Sequence, residues 1–317
     1  MKIKEEKKVA KEERKVDIKT SPLKLKKFSE VWFLPPIRDI IKEDDRGDLA
    51  EIFHANSKMT PYSEQSVGIK VVEMVNDITV ERRTSQPYKD YGMSIPSYPL
   101  IPKEKLNNPQ ADLFDIIARR RTIRQYSDKK LTLEDISRLL YYTYGISGNV
   151  QLALGTIEDL RVISSGGGLY PLEVYLLVLN VEELPKGIYH YNVRKHSLEL
   201  IKKGFEVNEI LPHLPGLIAY QTRTVSLFVA LSTIFRRTTH KYGPRGYRYI
   251  CFEAGTFMGH LQLIAEALDL GSVQVAGYYD EVLNNLLGLD GVDEATLNIC
   301  ALGYKKEQPA AKDAGGY

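Results

Sequence analysis

Apolar residues recur at helical spacing over residues 112–120, where Leu113, Ile116 and Ile117 share a face. They do so again behind Thr132-Leu133-Glu134-Asp135, a capping-type start to a helix that Gly145 ends. The period then shortens to that of strands. Residues 173–181 form an apolar run, Gly187-Ile188-Tyr189-His190-Tyr191 and Ser197-Leu198-Glu199-Leu200 read as a hairpin-like pair, and residues 224–232 make a further strand. Residues 252–270 predict a long helix whose small residues Ala254, Gly255 and Gly259 imply close packing. Strands over 272–279 and 296–304, with a helix over 281–287 between them, complete the pattern. No internal repeat is visible. Helices alternating with few strands predict an α+β fold, with helices around one mixed sheet.

Residues 28–109 are rich in proline and mixed polar residues, with a helical piece over 48–56 and short extended pieces near 67–75. Their apolar content is too low for a domain of their own, so they are expected to wrap the compact domain of residues 110–307. Lysine-rich residues 1–27 cannot bury enough surface to offset their ordering entropy and are expected to be disordered, and residues 308–317 form a flexible C-terminal tail.

At 317 residues, 43% hydrophobic and 26% charged, the chain can bury a sizeable core. Its net charge is +2 and the basic excess sits in the N-terminal run, so nothing favours nucleic acid as a partner. That run lacks the apolar core of a signal peptide, and the apolar stretch at 174–181 is far shorter than the ~20 residues that span a bilayer. A cytoplasmic protein without a membrane span is expected. Cys251 and Cys300 lie in apolar stretches and read as core, and the six histidines lack ligand spacing, so no bound metal is expected.

Candidate chemistry gathers in a few segments. His240-Lys241-Tyr242-Gly243-Pro244-Arg245-Gly246-Tyr247-Arg248-Tyr249 presents two proton-transferring groups, Lys241 and Tyr242, on what reads as a catalytic loop. Burial or a neighbouring cation such as Arg245 tunes such groups toward neutral pH, and a solvated loop shares the same composition. Arg119-Arg120-Arg121-Thr122-Ile123-Arg124 closes the first helix. Guanidinium groups beside a hydroxyl suit a phosphate monoester, while cations at a helix C-terminus also complement its dipole with no ligand at all. Ser164-Ser165-Gly166-Gly167-Gly168 lets backbone approach a flat ligand and offers unobstructed amides, without the ending of a P-loop or the helix opening of a Rossmann turn.

The run from Lys241-Tyr242-Gly243 through Arg245-Gly246-Tyr247-Arg248 to Glu253-Ala254-Gly255 resembles the signature of the SagB/ThcOx-type azoline dehydrogenases, a branch of the flavin-dependent nitroreductase superfamily. The likeness extends from Phe53 to about Lys306 and takes in Phe53-His54-Ala55-Asn56-Ser57-Lys58 and Pro87-Tyr88-Lys89-Asp90-Tyr91, a pre-domain segment that plain nitroreductases usually lack. It implies a nitroreductase-like FMN fold that forms a homodimer with the flavin at the subunit interface. Arg120, Arg121, Thr122 and Arg124 would hold the phosphate and ribityl chain, Ser164, Ser165, Gly166 and Gly167 would lie by the ring, and the Ala276 and Gly277 amides near N5. The activity implied is oxidation of thiazoline or oxazoline rings, made by a partner cyclodehydratase in a ribosomal precursor peptide, to thiazole or oxazole. Lys241 and Tyr242 would supply the base and orient the ring, with dioxygen as final oxidant. A generic nicotinamide-dependent flavin reductase and a non-catalytic flavin-binding subunit are the competing readings. Departures from the family pattern occur at Ile163-Ser164, at Gly166 and Gly168, and at Thr256, Gly259 and His260.

Overall fold

The structure, a computed structural model, describes residues 49–214 and 222–306; the tails expected at 1–27 and 308–317 lie outside the described residues. The chain divides into two compact units after Asn56. In the first, the described residues form helix α1 (Leu49–Asn56), as expected.

The second unit opens with α2 (Pro61–Asn76) and α3 (Ile78–Ser85). Residues 67–75, expected as extended, are therefore helical. Thr60 and Ser63 form a reciprocal capping box and Pro61 takes the first helical turn, and this start commits Val67, Val71 and Val72 to the helix against their strand preference. After β1 (Ser97–Pro99) come α4 (Leu113–Arg119) and α5 (Leu133–Tyr144), the latter capped by Thr132 with Asp135. A separate two-stranded arm of β2 (Ile146–Gln151) and β3 (Ile157–Arg161) follows, a hairpin that the alternation pattern did not reveal. Then come β4 (Leu172–Val178), β5 (Gly187–Asn192), β6 (Ser197–Lys203) and β7 (Leu227–Ile234). The described chain closes with α6 (Arg236–Tyr242), α7 (Arg245–Ala267), β8 (Leu270–Val275), α8 (Asp280–Leu287) and β9 (Glu294–Tyr304).

Seven strands form one sheet in the order β1-β6-β5-β4-β7-β9-β8, with antiparallel neighbours. Parallel pairing enters as bridges from Thr122 to Ser272 and from Leu131 to Val181. β4 and β7 lie centrally and are covered on both faces, which is why they read as near-continuous apolar runs. On one face Ile136 and Leu140 of α5 and Ile250, Phe257 and Leu261 of α7 pack on Leu176 and Val229; on the other, Leu283 and Leu287 of α8 meet Tyr175 and Phe228. The α+β layering expected from the sequence, with helices around one sheet, is present.

Details of α7 differ from expectation. It begins at Arg245, seven residues before the apolar pattern predicts, because glycine and proline near its start hide the helix. Cys251, expected as core, is exposed, whereas Cys300 is buried. Gly255 and Gly259 were expected to be closely packed, yet a Cβ at either would meet nothing within 4 Å, so that side of α7 is open. Among the described residues no helix is long and apolar enough to cross a membrane, and no group of three or more His, Cys, Asp or Glu is placed to hold a metal ion.

Candidate active site

Lys241 and Tyr242 stand in the last turn of α6, not on the loop that the glycines and proline predict. Gly243, at φ 56° and ψ −145°, ends that helix, and Pro244 starts α7 at once. The two helices press together at this corner: a Cβ on Gly246 would lie 2.9 Å from the Thr239 Cα. Only glycine permits that approach, so the motif's glycines shape a tight helix–helix corner.

The glycine-rich turn meets the pair from the other side. At Gly167, φ +71°, a Cβ would lie 2.5 Å from Tyr242 Oη and 2.8 Å from Lys241 Nζ. Both polar heads therefore converge on one bare stretch of backbone. The Tyr242 ring meets Tyr249 edge-on, 4.8 Å between centroids, and Gly166 lies against that same Tyr249 ring. Ser164 is exposed beside them.

Glu253 pins this turn, and sequence reasoning missed it as a site residue. Ser165 Oγ donates to its carboxylate at 2.5 Å and Tyr144 Oη donates at 3.0 Å, while Ser165 Oγ accepts the Tyr170 amide at 2.9 Å. Burial pushes the Glu253 carboxyl up to about 7, against the pull of those two hydrogen bonds and of Arg161. The available signal was a glutamate on the apolar face of α7, next to Ala254 and in phase with Ile250 and Phe257.

Lys241 opens into a cavity of about 160 Å³ walled by Val71, Met74 and Val75 of α2 and by Leu152 and Ala153 at the tip of the hairpin, with Glu158 also on its wall. Burial lowers the Lys241 amine below its ordinary range, with Glu158 pulling the other way, while burial raises the Tyr242 phenol. Burial thus disfavours the charged form of each group. Glu81 accepts the Leu154 amide at 2.9 Å and the Thr156 amide at 3.1 Å, tying α3 to the hairpin. A larger cavity of about 550 Å³ shares Thr84 with the first and is lined by Arg83, Arg236 and His240 over Val80, Pro87 and Leu169.

The arginine run lies elsewhere. Arg119 pairs with Glu266 at 3.3 Å, at the far end of α7, and the Ile123 amide donates to Ser272 O at 2.9 Å. Arg121 Nη1 donates to the carbonyls of Ala118 and Arg120 at 2.8 and 2.9 Å, the role of a helix-end cation. The side chains of Arg120 and Arg124 make no hydrogen bond or ion pair among the described residues, and Thr122 is exposed between them. Two free guanidinium groups beside a hydroxyl fit a phosphate. Ala276 and Gly277 follow β8 directly, and their exposed amides donate no hydrogen bond among the described residues. The structure thus joins Ser165, Gly166, Gly167, Lys241 and Tyr242, and keeps the arginine run at the opposite end of α7.

The nitroreductase family profile matches residues 117–304, and the chain belongs to that family, whose members generally bind flavin and act as oxidoreductases. Similar sequences include a Methanocaldococcus jannaschii protein described as a nitroreductase, 30% identical over 202 residues, covering 62% of this chain and 92% of that one. The trifolitoxin-processing protein TfxB of Rhizobium leguminosarum bv. trifolii is 28% identical over 173 residues, 53% of this chain and 46% of TfxB. The microcin B17-processing protein McbC of Escherichia coli is 28% identical over 170 residues, 52% of this chain and 60% of McbC. The match thus spans less than two thirds of either processing protein. Among solved structures, a chain of the E. coli microcin synthetase McbBCD complex with truncated pro-MccB17 bound aligns with a TM-score of 0.51 at 22% identity, over 82% of this chain and 98% of that chain. A nitroreductase-type crystal structure from Anabaena variabilis aligns with a TM-score of 0.60 at 24% identity, over 80% of this chain and 45% of that one.

Proposed function

We propose that the protein is an FMN-dependent dehydrogenase that oxidises thiazoline or oxazoline rings in a ribosomally made precursor peptide to the aromatic azoles. The observation that carries this reading is the convergence of Lys241 and Tyr242 on Gly167. Aromatising an azoline removes a proton from the ring carbon next to the former carbonyl and a hydride from the adjacent carbon. Bound FMN supplies the two-electron acceptor. Lys241, held toward its neutral amine by burial, takes the proton at Nζ, and Tyr242, still protonated, orients the ring by donating a hydrogen bond. Arg120, Thr122 and Arg124 would hold the phosphate, with Arg121 nearby, and the backbone at Ser164, Ser165, Gly166, Gly167, Ala276 and Gly277 would lie by the ring.

A ring-bearing segment lying in the larger cavity reaches Lys241 past Thr84. That TfxB and McbC are peptide-processing proteins, and that the McbBCD complex holds a pro-peptide, supports a peptide substrate and work within a multi-protein synthetase. A cyclodehydratase is the partner the chemistry requires, since it makes the azoline. That α2 and the hairpin wall the same cavity supports reading residues 61–109 as an extension of the flavin domain rather than a domain apart.

The functional unit in this reading is a homodimer. The open side of α7 carries Phe252, 64% exposed, with Gly255, Thr256 and Gly259 at spacings of three and four, and α4 exposes Leu113, Phe114 and Ile117. Two copies crossing antiparallel at the glycines set the Arg119–Glu266 end of one α7 beside the Ser165–Glu253 end of the other. The thirteen steps from Glu253 to Glu266 are about 20 Å of helix, the separation such a crossing closes.

Anaerobic mixing tests the reading. A thiazoline peptide should bleach the flavin and yield a thiazole, whereas NADH or NADPH should leave it oxidised. Rapid bleaching by a nicotinamide with the peptide inert would overturn the dehydrogenase assignment in favour of a flavin reductase.

A further inference from the structure

We propose that Glu158 is the charge partner of Lys241: presented by β3 across Gly168, its carboxylate positions the lysine and stabilises the ammonium formed when Nζ accepts the substrate proton. The proposal deepens the reading above and rests on Lys241 acting as the base.

Two successive glycines in the left-handed region, Gly167 at φ +71° and Gly168 at φ +69°, give the site its shape. Lys241 and Tyr242 occupy the space beside the first, and the Glu158 carboxyl presses on the second so closely that any Cβ there would collide with it. Glu158 and Lys241 line one cavity and face each other without direct ion-pair contact. The other titratable groups around them are committed. The Glu81 carboxylate accepts the amides of Leu154 and Thr156, Tyr170 Oη accepts the Arg161 amide, and Tyr242 lies against Tyr249. The Glu158 carboxylate accepts no hydrogen bond among the described residues, which leaves it the uncommitted anion of the cavity. Val71, Met74, Val75 and Leu152 give the cavity an apolar wall beside the two half-buried charges, so their attraction is screened less than between fully exposed groups. The electrostatics run the same way. Burial lowers the Lys241 amine and Glu158 raises it, while burial raises the Glu158 carboxyl and Lys241 lowers it. Without Glu158, burial would act on Lys241 unopposed and leave a weaker base.

Removing the charge therefore moves the titration of Lys241 to lower pH. The test uses the full-length, flavin-loaded protein and its Glu158→Gln and Glu158→Asp variants. Acylation of Lys241 by an amine-reactive ester, followed by peptide mass spectrometry across a pH series, reads the amine directly and needs no azoline substrate. In Glu158→Gln the labelling midpoint should fall by on the order of one pH unit. The limb of the kcat profile that reports Lys241 should move with it, kcat should drop about tenfold or more at unchanged KM, and flavin content should stay at the parent level. Glu158→Asp should give an intermediate midpoint. A midpoint that stays put or rises in Glu158→Gln, or an Asp variant identical to the Gln variant, overturns the proposal. An inert azoline peptide with the labelling shift intact would instead count against the substrate assignment alone.

Discussion

Lys241 and Tyr242 are the residues on which the proposed chemistry turns, and their substitution separates catalysis from folding. A placed base is worth roughly 10²- to 10⁴-fold in rate, so Lys241→Ala and Tyr242→Phe should each lose most azoline oxidation while the flavin spectrum and content stay at parent levels. Loss of flavin along with activity would make the corner structural instead. Glu253 answers to pH. Its carboxyl ionises at about 7 in the folded chain against an ordinary value of 4.5, so the folded state binds the proton more tightly. Its contribution to stability falls as pH rises from about 4.5 to about 7, then levels off. Melting curves of Glu253→Gln should be flatter across that window than those of the parent; an unchanged slope would sink the assignment. Lys241 and Tyr242 were legible in the sequence because they are adjacent proton carriers. Glu253 and Glu158 were not, since what makes each functional is a distant partner: Ser165 stands 88 residues from Glu253.

Among the elements, the regular core was readable and the irregular corners were not. β4 and β7 announce themselves by continuous apolar runs, α5 by its capping box and α8 by Leu283, Leu286 and Leu287 at helical spacing. The start of α7 failed because Gly243, Pro244 and Gly246 look like a loop when they in fact form a close crossing of α6 and α7. α2 failed for the opposite reason, a cap and a proline at its start overriding β-branched residues. The end of α4 carries a graded prediction. Arg120→Ala and Arg124→Ala each remove a proposed charge-assisted phosphate contact and should weaken FMN binding roughly ten- to a hundredfold in titrations of the apoprotein. Arg121→Ala should weaken it less, because Arg121 already serves the carbonyls of Ala118 and Arg120. Equal retention by all three variants would return the run to a helix-end role.

Across the whole molecule, the proposed dimer depends on the open side of α7. Phe252→Glu places a charge where two copies are proposed to cross, and light scattering behind gel filtration should find a folded monomer that has lost flavin; a dimer that keeps its flavin would exclude this face. The length of α7 also has a genetic meaning. If each flavin rests on the arginines of one chain and the Lys–Tyr corner of its neighbour, two defective alleles can repair one another. A chain carrying Arg120→Ala and Arg124→Ala, co-expressed with one carrying Lys241→Ala, should assemble mixed dimers in which one of the two sites is wholly wild type. Activity should return in the co-expressed pair although either parent alone is dead.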